Sequence, residues 1–161
     1  MAADTPFSHL DSTGRARMVD VSEKPVTRRV AEASCAVRMS SETVARLDRL
    51  PKGDAYAMAR IAGIQAAKRT PDWVPLAHPL LLDEIAVDLL PDEAGVTISS
   101  RVVCHGRTGA EMEALTACAA AALALYDMVK AVEKGAVITD LRLEAKSGGR
   151  SGDYRRADDA P

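Results

Sequence analysis

Asp127 and Lys130 stand three residues apart in 127-DMVK-130, a spacing that sets a carboxylate and an ammonium side by side on one helix face. On an open surface such a pair is worth only a few tenths of a kcal/mol. In a cleft it could trade protons with a substrate. His78 sits between prolines in 75-PLAHP-79. Proline restricts the backbone on both sides, which narrows where the imidazole can point. The competing assignment for a lone histidine is a structural one. His9 falls in a polar N-terminal lead and His105 at a hairpin edge, so His78 is the stronger candidate for proton transfer near neutral pH.

A second carboxylate group is 111-EMEAL-115. Thr108 and Glu111 fit a T-x-x-E capping box, which gives Glu111 a local task. Glu113 has none beyond favouring the helix dipole. Glu113 and Asp127 are fourteen residues apart, which on one helix means the same face but about 21 Å of separation. A small substrate touching both would require two protomers to meet at one site.

The basic residues form a third set. Lys52 precedes Gly53 and Asp54 at a helix entrance, where the helix terminus already attracts anions. Lys68 and Arg69 suit a helix C-terminus without any ligand. Lys146 and Arg150 lie in 145-AKSGGRSGDY-154, a stretch that reads either as a solvated tail or as a phosphate-holding loop. It lacks the GxxxxGK[ST] order of a P-loop and precedes no helix. No metal-ligand cluster and no nucleophile elbow accompany these residues. The inventory suits acid–base chemistry on a phosphorylated molecule, with no redox cofactor.

These side chains need a scaffold. From Pro25 to Met39, Ala31, Ala33, Cys35, Val37 and Met39 share one parity, while Arg28, Glu32, Ser34 and Arg38 take the other, which predicts a half-buried strand. Ser40 or Ser41 can cap a short helix carrying Val44, Leu47 and Leu50 and ending at Pro51. Asp54 caps the next helix, in which Met58, Ile61, Ala62 and Gln65 follow at helical spacing up to Pro71. Residues 80–90 and 95–105 read as a hairpin across Pro91–Gly95. A long Ala-rich helix runs from the Thr108 box to about Lys134, with Gly135 as its stop. Its alanines fit either close packing on the sheet or a subunit interface. Val137, Thr139, Leu141 and Leu143 give a last strand. The order is βαββαβ, an α+β, ferredoxin-like sandwich: an antiparallel sheet with helices on one face.

The 161 residues fit a single domain, with a mobile arm over about 1–17 and a disordered tail over about 156–161. Hydrophobic residues make up 47% and charged residues 27%, and the net charge is −2 with pI near 5.9. Mild acidity and 3% aromatics argue against a nucleic-acid partner. The longest apolar run, 117–126, falls short of the roughly 20 residues of a membrane span, so no membrane partner is expected. Cys35, Cys104 and Cys118 are widely spaced and odd in number, which predicts buried, reduced thiols. With no apolar signal core at the N-terminus, a cytoplasmic location is expected.

In order, 18-MVDVS-22, 52-KGD-54, 60-RIAGIQAAKRT-70, 75-PLAHPL-80, 108-TGAEMEALTA-117, 126-YDMVKA-131 and 145-AKSGGRSGDY-154 resemble the MoaC-type enzymes of molybdenum cofactor biosynthesis, the cyclic pyranopterin monophosphate synthases. The resemblance spans about residues 7–155. It implies a lyase that rearranges 3′,8-cyclo-7,8-dihydroguanosine 5′-triphosphate into cyclic pyranopterin monophosphate and releases pyrophosphate. It further implies a ferredoxin-like fold in a hexamer, a trimer of dimers, with sites at subunit boundaries. By motif, Asp127 is the implied catalytic acid or base, with Lys130, Lys52 and Lys146 as active-site lysines. Leu76, Ala77 and His78, with Met112 and Glu113, are the implied substrate-binding segments. No cofactor is required on this reading, and Mg²⁺ stays open as a companion of the triphosphate. Ala77 stands where the family often has Cys, and Ala110 where it often has Val, so no thiol chemistry is implied at the site. The alternative is a non-catalytic regulator of the same fold that binds a nucleotide or phosphometabolite; it would not need Asp127 and Lys130 together.

Overall fold

The computed structural model describes residues 13–157. Strand β1 (Thr27–Arg38) is the centre of a fully antiparallel sheet. It pairs on one side with β3 (Gly95–Gly106) and on the other with β4 (Val137–Ser147). β2 (Leu82–Asp92) joins β3 in the expected hairpin, and a two-residue β5 (Tyr154–Arg155) pairs with Ala145 and Lys146. The order is β2-β3-β1-β4-β5. This is the ferredoxin-like sheet with one short strand added at its edge.

The parity expected for β1 is the buried one: Ala31, Ala33, Cys35 and Val37 are all at most 2% exposed. Ser40 caps α1 (Ser41–Val44), its side chain accepting from Thr43 N–H. That helix is shorter than expected; Leu47 and Leu50 are buried from the turns that follow it. Asp54 caps α2 (Ala55–Ala67). Pro71 does not end α2 but sits in the first turn of a separate four-residue helix, α3 (Thr70–Trp73), where its missing N–H costs nothing.

The buried face of α2 differs from the expected one. Met58 and Ile61 are exposed, and the helix turns Ala55, Ala59, Gly63, Ala66 and Ala67 inward. The reason is the distance to α4 (Glu111–Val129). A Cβ on Gly63 would lie 2.9 Å from the Ala117 carbonyl oxygen and 3.3 Å from the Ala121 Cβ, so only small residues fit there. Ala114, Ala117, Ala120, Ala121 and Ala122 are thus buried within the protomer. Gly63→Val is expected to cost about 1–3 kcal/mol by overpacking, read as a lower urea midpoint with an unchanged slope.

Two further expectations are corrected. The capping box does not form: Ala110 is the N-cap of α4, without a side-chain bond, and Glu111 turns elsewhere. The helix ends at Val129 rather than near Lys134. Beyond it, Glu133 accepts from Ser40 N–H, Ser40 O–H and Thr43 O–H, fastening the turn to the start of α1. In β4 the single parity breaks at a bulge. Asp140 adopts φ 56°, and the β1 partners jump from Thr139 to Arg142. Ile138 and Leu143 therefore pack on the core, while Val137 and Leu141 face out.

By length and composition α4 could cross a membrane, yet it is a core helix, packed between α2 and the sheet. Cys35, Cys104 and Cys118 are free and buried, as expected. Most of the N-terminal arm, including His9, and the last four residues of the tail lie outside the described residues.

Candidate active site

The first group forms at the C-terminal end of α4. Asp127 projects from its last turns, and Lys130 Nζ returns to Asp127 Oδ1 at 2.7 Å. Lys52 arrives from 75 residues away. The tight turn through Gly53 and the Asp54 cap fix its approach, and its Nζ lies 2.8 Å from Asp127 Oδ2 and 2.9 Å from the Asp127 carbonyl. Hydrogen bonds from Lys130 and Lys52 hold the Asp127 carboxyl down at about 2. Asp127 in turn pushes the Lys130 ammonium up. All three side chains are about half exposed, so the group is open to a ligand.

The second group lies at the other end of the same helix. A cleft of about 310 Å³ is lined by Leu76, Ala77, His78, Glu111, Met112 and Glu113, among others. The expected substrate-binding residues therefore do converge. His78 Nε2 is 2.8 Å from the Val19 carbonyl. A carbonyl only accepts, so this nitrogen carries the proton and Nδ1 is left for a ligand or for protonation. Glu113 is 3% exposed. Burial, with a smaller push from Glu111, raises its carboxyl to about 7 against an opposing backbone hydrogen bond.

Lys146 extends from the end of β4 to Glu111 Oε1 at 3.1 Å and donates to Ser151 Oγ at 3.0 Å. It lines a different cavity, of about 350 Å³, rather than the His78 cleft itself, but its partner Glu111 borders that cleft. The stretch 145–154 is an ordered hairpin, because β5 brings the chain back onto β4. Sequence reasoning missed two participants: Glu111, taken as a cap, and the Val19 backbone, whose only signal was the segment 18–22. Among the described residues no group of three or more His, Cys, Asp and Glu could hold a metal ion.

One protomer does not unite the two groups. Fourteen residues of straight helix separate Glu113 from Asp127, about 21 Å.

Residues 18–149 match the MoaC family. Three bacterial relatives, each named cyclic pyranopterin monophosphate synthase, align along most of the chain. That of Streptomyces griseus is 55% identical over 158 residues, covering 97% of this chain and 89% of its own length. That of Cereibacter sphaeroides is 55% identical over 152 residues, covering 92% and 96%. That of Dinoroseobacter shibae is 53% identical over 152 residues, with the same coverage. The family match takes in Lys52, His78, Glu113, Asp127, Lys130 and Lys146, the residues of both groups, and by it this chain belongs to the MoaC family.

Proposed function

We infer that the protein is a cyclic pyranopterin monophosphate synthase, converting 3′,8-cyclo-7,8-dihydroguanosine 5′-triphosphate to cyclic pyranopterin monophosphate and pyrophosphate. The observation that carries this beyond the relatives' names is the Lys52–Asp127–Lys130 assembly. It is drawn from segments 75 residues apart, and a mere phosphate-binding module has no use for a carboxylate between its cations. Ring opening and closure require donors and acceptors on nitrogen and oxygen. Asp127 supplies an always-ionised acceptor and Lys130 and Lys52 the paired donors. Glu113, raised to about 7, can offer a proton or take one at neutral pH, and His78 stands beside it on the cleft wall. Lys146 offsets charge as the cyclic phosphate forms and pyrophosphate departs.

The site is completed by a second copy of the chain, whose Lys52–Asp127–Lys130 group meets this protomer's His78 cleft, in a hexamer built of dimers. No resident cofactor has a role in this scheme; Mg²⁺ would arrive with the triphosphate as part of the substrate. The setting proposed is the cytoplasm. Purified protein given the cyclic dihydro-GTP intermediate is expected to release one pyrophosphate per pterin formed. Substrate bound to an intact assembly without release would establish the regulator instead. A monomer by size-exclusion chromatography with light scattering would overturn the shared site.

A further inference from the structure

Lys52 and Lys130 both close on Asp127, yet neither is aimed by burial: their side chains are 42% and 51% exposed. A long, flexible lysine stem then takes its direction from where its backbone is anchored. Lys52 follows Ser40 by twelve residues, through α1 and the turns that seat Leu47 and Leu50 in the core. Lys130 is the C-cap of α4, and the turn after it is closed by Glu133 N–H donating to the Val129 carbonyl at 2.9 Å.

The Glu133 side chain joins these two segments. Its carboxylate accepts from Ser40 N–H at 3.1 Å, from the Ser40 hydroxyl at 2.7 Å and from the Thr43 hydroxyl at 2.6 Å. The donor count makes this arrangement specific. Each hydroxyl has one proton, and with both given to Glu133 a Ser40 lone pair is left to accept from Thr43 N–H, the bond that caps α1. Thr43 is 6% exposed, so its hydroxyl has little water to turn to instead. Hydrogen bonds from Thr43 and Ser40 hold the Glu133 carboxyl below its usual value, so it is ionised at neutral pH and its bonds are charge-assisted. The turn is already closed by its own backbone. What the carboxylate adds is the register of one segment against the other.

That register reaches Asp127 directly. Lys52 Nζ donates both to the Asp127 carboxylate and to the Asp127 carbonyl, one of the last four carbonyls of α4, which lack intrahelical donors. A small slide of the Ser40–Lys52 segment along the helix end would break one of those two bonds. We propose that Glu133 is a positioning residue, which locks the Lys52 segment to the Lys130 turn so that both ammonium groups meet one Asp127 carboxylate. Its effect on catalysis rests on the proposed function; the lock itself does not.

Two measurements on the full-length protein test this. The first is independent of activity: trace acetylation of the folded protein with acetic anhydride, with Lys52 read by peptide mass spectrometry. Glu133→Ala is expected to raise Lys52 labelling severalfold, because the amine is released from its carboxylate. Thr43→Val, which removes one donor and keeps the shape, should act in the same direction and serves should Glu133→Ala not fold. The second is turnover of the cyclic dihydro-GTP intermediate. Glu133→Ala should lower kcat by about 10–10²-fold, the scale of a small misplacement, with KM little changed. The same substitution in a Lys52→Ala background should then cost almost nothing more, since the residue it positions is already gone. Unchanged Lys52 labelling, unchanged kcat in an active enzyme, or a loss that multiplies in full with that of Lys52→Ala would overturn the positioning role. Raised labelling in a protein whose parent releases no pyrophosphate would sink the enzyme assignment and leave the lock standing.

Discussion

Lys130→Ala is expected to lower turnover by about 10²–10⁴-fold, the range for removing a general acid or base, with the mass of the assembly unchanged. The side chain is half exposed and pairs with the Asp127 carboxylate, so its loss removes no core packing. Asp127 keeps its second partner, Lys52 at 2.8 Å, so the local charge is not orphaned. A structural role would therefore leave rate and mass alike untouched, whereas a role in proton transfer appears in kcat. Asp127→Asn supplies the complementary result, since it keeps the shape and removes the charge between two ammonium groups. The pH behaviour separates the possibilities further. Asp127 is held at about 2, below its usual value, so its ionised form is populated at every ordinary pH and dissolves only as acid approaches that value. The defect of Asp127→Asn should accordingly be flat across neutral pH, with no alkaline rescue. A Lys130→Ala enzyme with nearly wild-type kcat would remove that residue from the mechanism.

Glu113→Gln is expected to stabilise the protein above neutral pH. The Glu113 carboxyl titrates at about 7 in the folded chain against 4.5 ordinarily, chiefly because it is buried. Below about pH 4.5 both folded and unfolded chains hold the proton, and the group is neutral to stability. Between those values the unfolded chain loses its proton first, so the native state binds more protons and stability falls as pH rises. Above about 7 the full cost is present, on the order of 3 kcal/mol at 1.36 kcal/mol per pKa unit. Glutamine keeps the size and the hydrogen-bonding capacity without the charge. Thermal unfolding should thus show the variant several degrees higher at about pH 8 and level with the parent at about pH 4, given roughly 2–4 °C per kcal/mol for a chain of this size. An equal difference at both pH values would mean that Glu113 is not carried neutral into the fold. The same group should place a limb near neutral pH in the rate profile, absent from the variant.

Much of the fold was legible because local rules and tertiary outcome agreed. The alternation from Ala31 to Val37, the Ser40 and Asp54 caps and the β2–β3 hairpin all stand where periodicity and turn chemistry put them. The failures share a cause. The buried face of α2 was misjudged because hydrophobicity favours Met58 and Ile61, while the narrow gap to α4 admits only Gly63 and the alanines. The Asp140 bulge reversed the parity of β4, and no strict two-residue period announces a bulge. Thr108 and Glu111 have the spacing of a capping box, but a charged lysine outbid a backbone amide for Glu111.

The amino-acid sequence alone determined the βαββαβ order, the Asp127–Lys130 pair and the sense of each helix, because 3.6- and 2-residue periods, caps and turns act over neighbouring residues. The tertiary structure decided which distant side chains meet. It brought Lys52 across 75 residues to Asp127 and turned Lys146 onto Glu111. It also enclosed Glu113 and Arg29, two charged residues whose environments no local pattern specifies. Those environments arise from strand register and from the two crossovers that lay α2 and α4 on one face of the sheet. Burial and long-range pairing are properties of that packing, and they convert ordinary surface residue types into groups with shifted protons and buried charge.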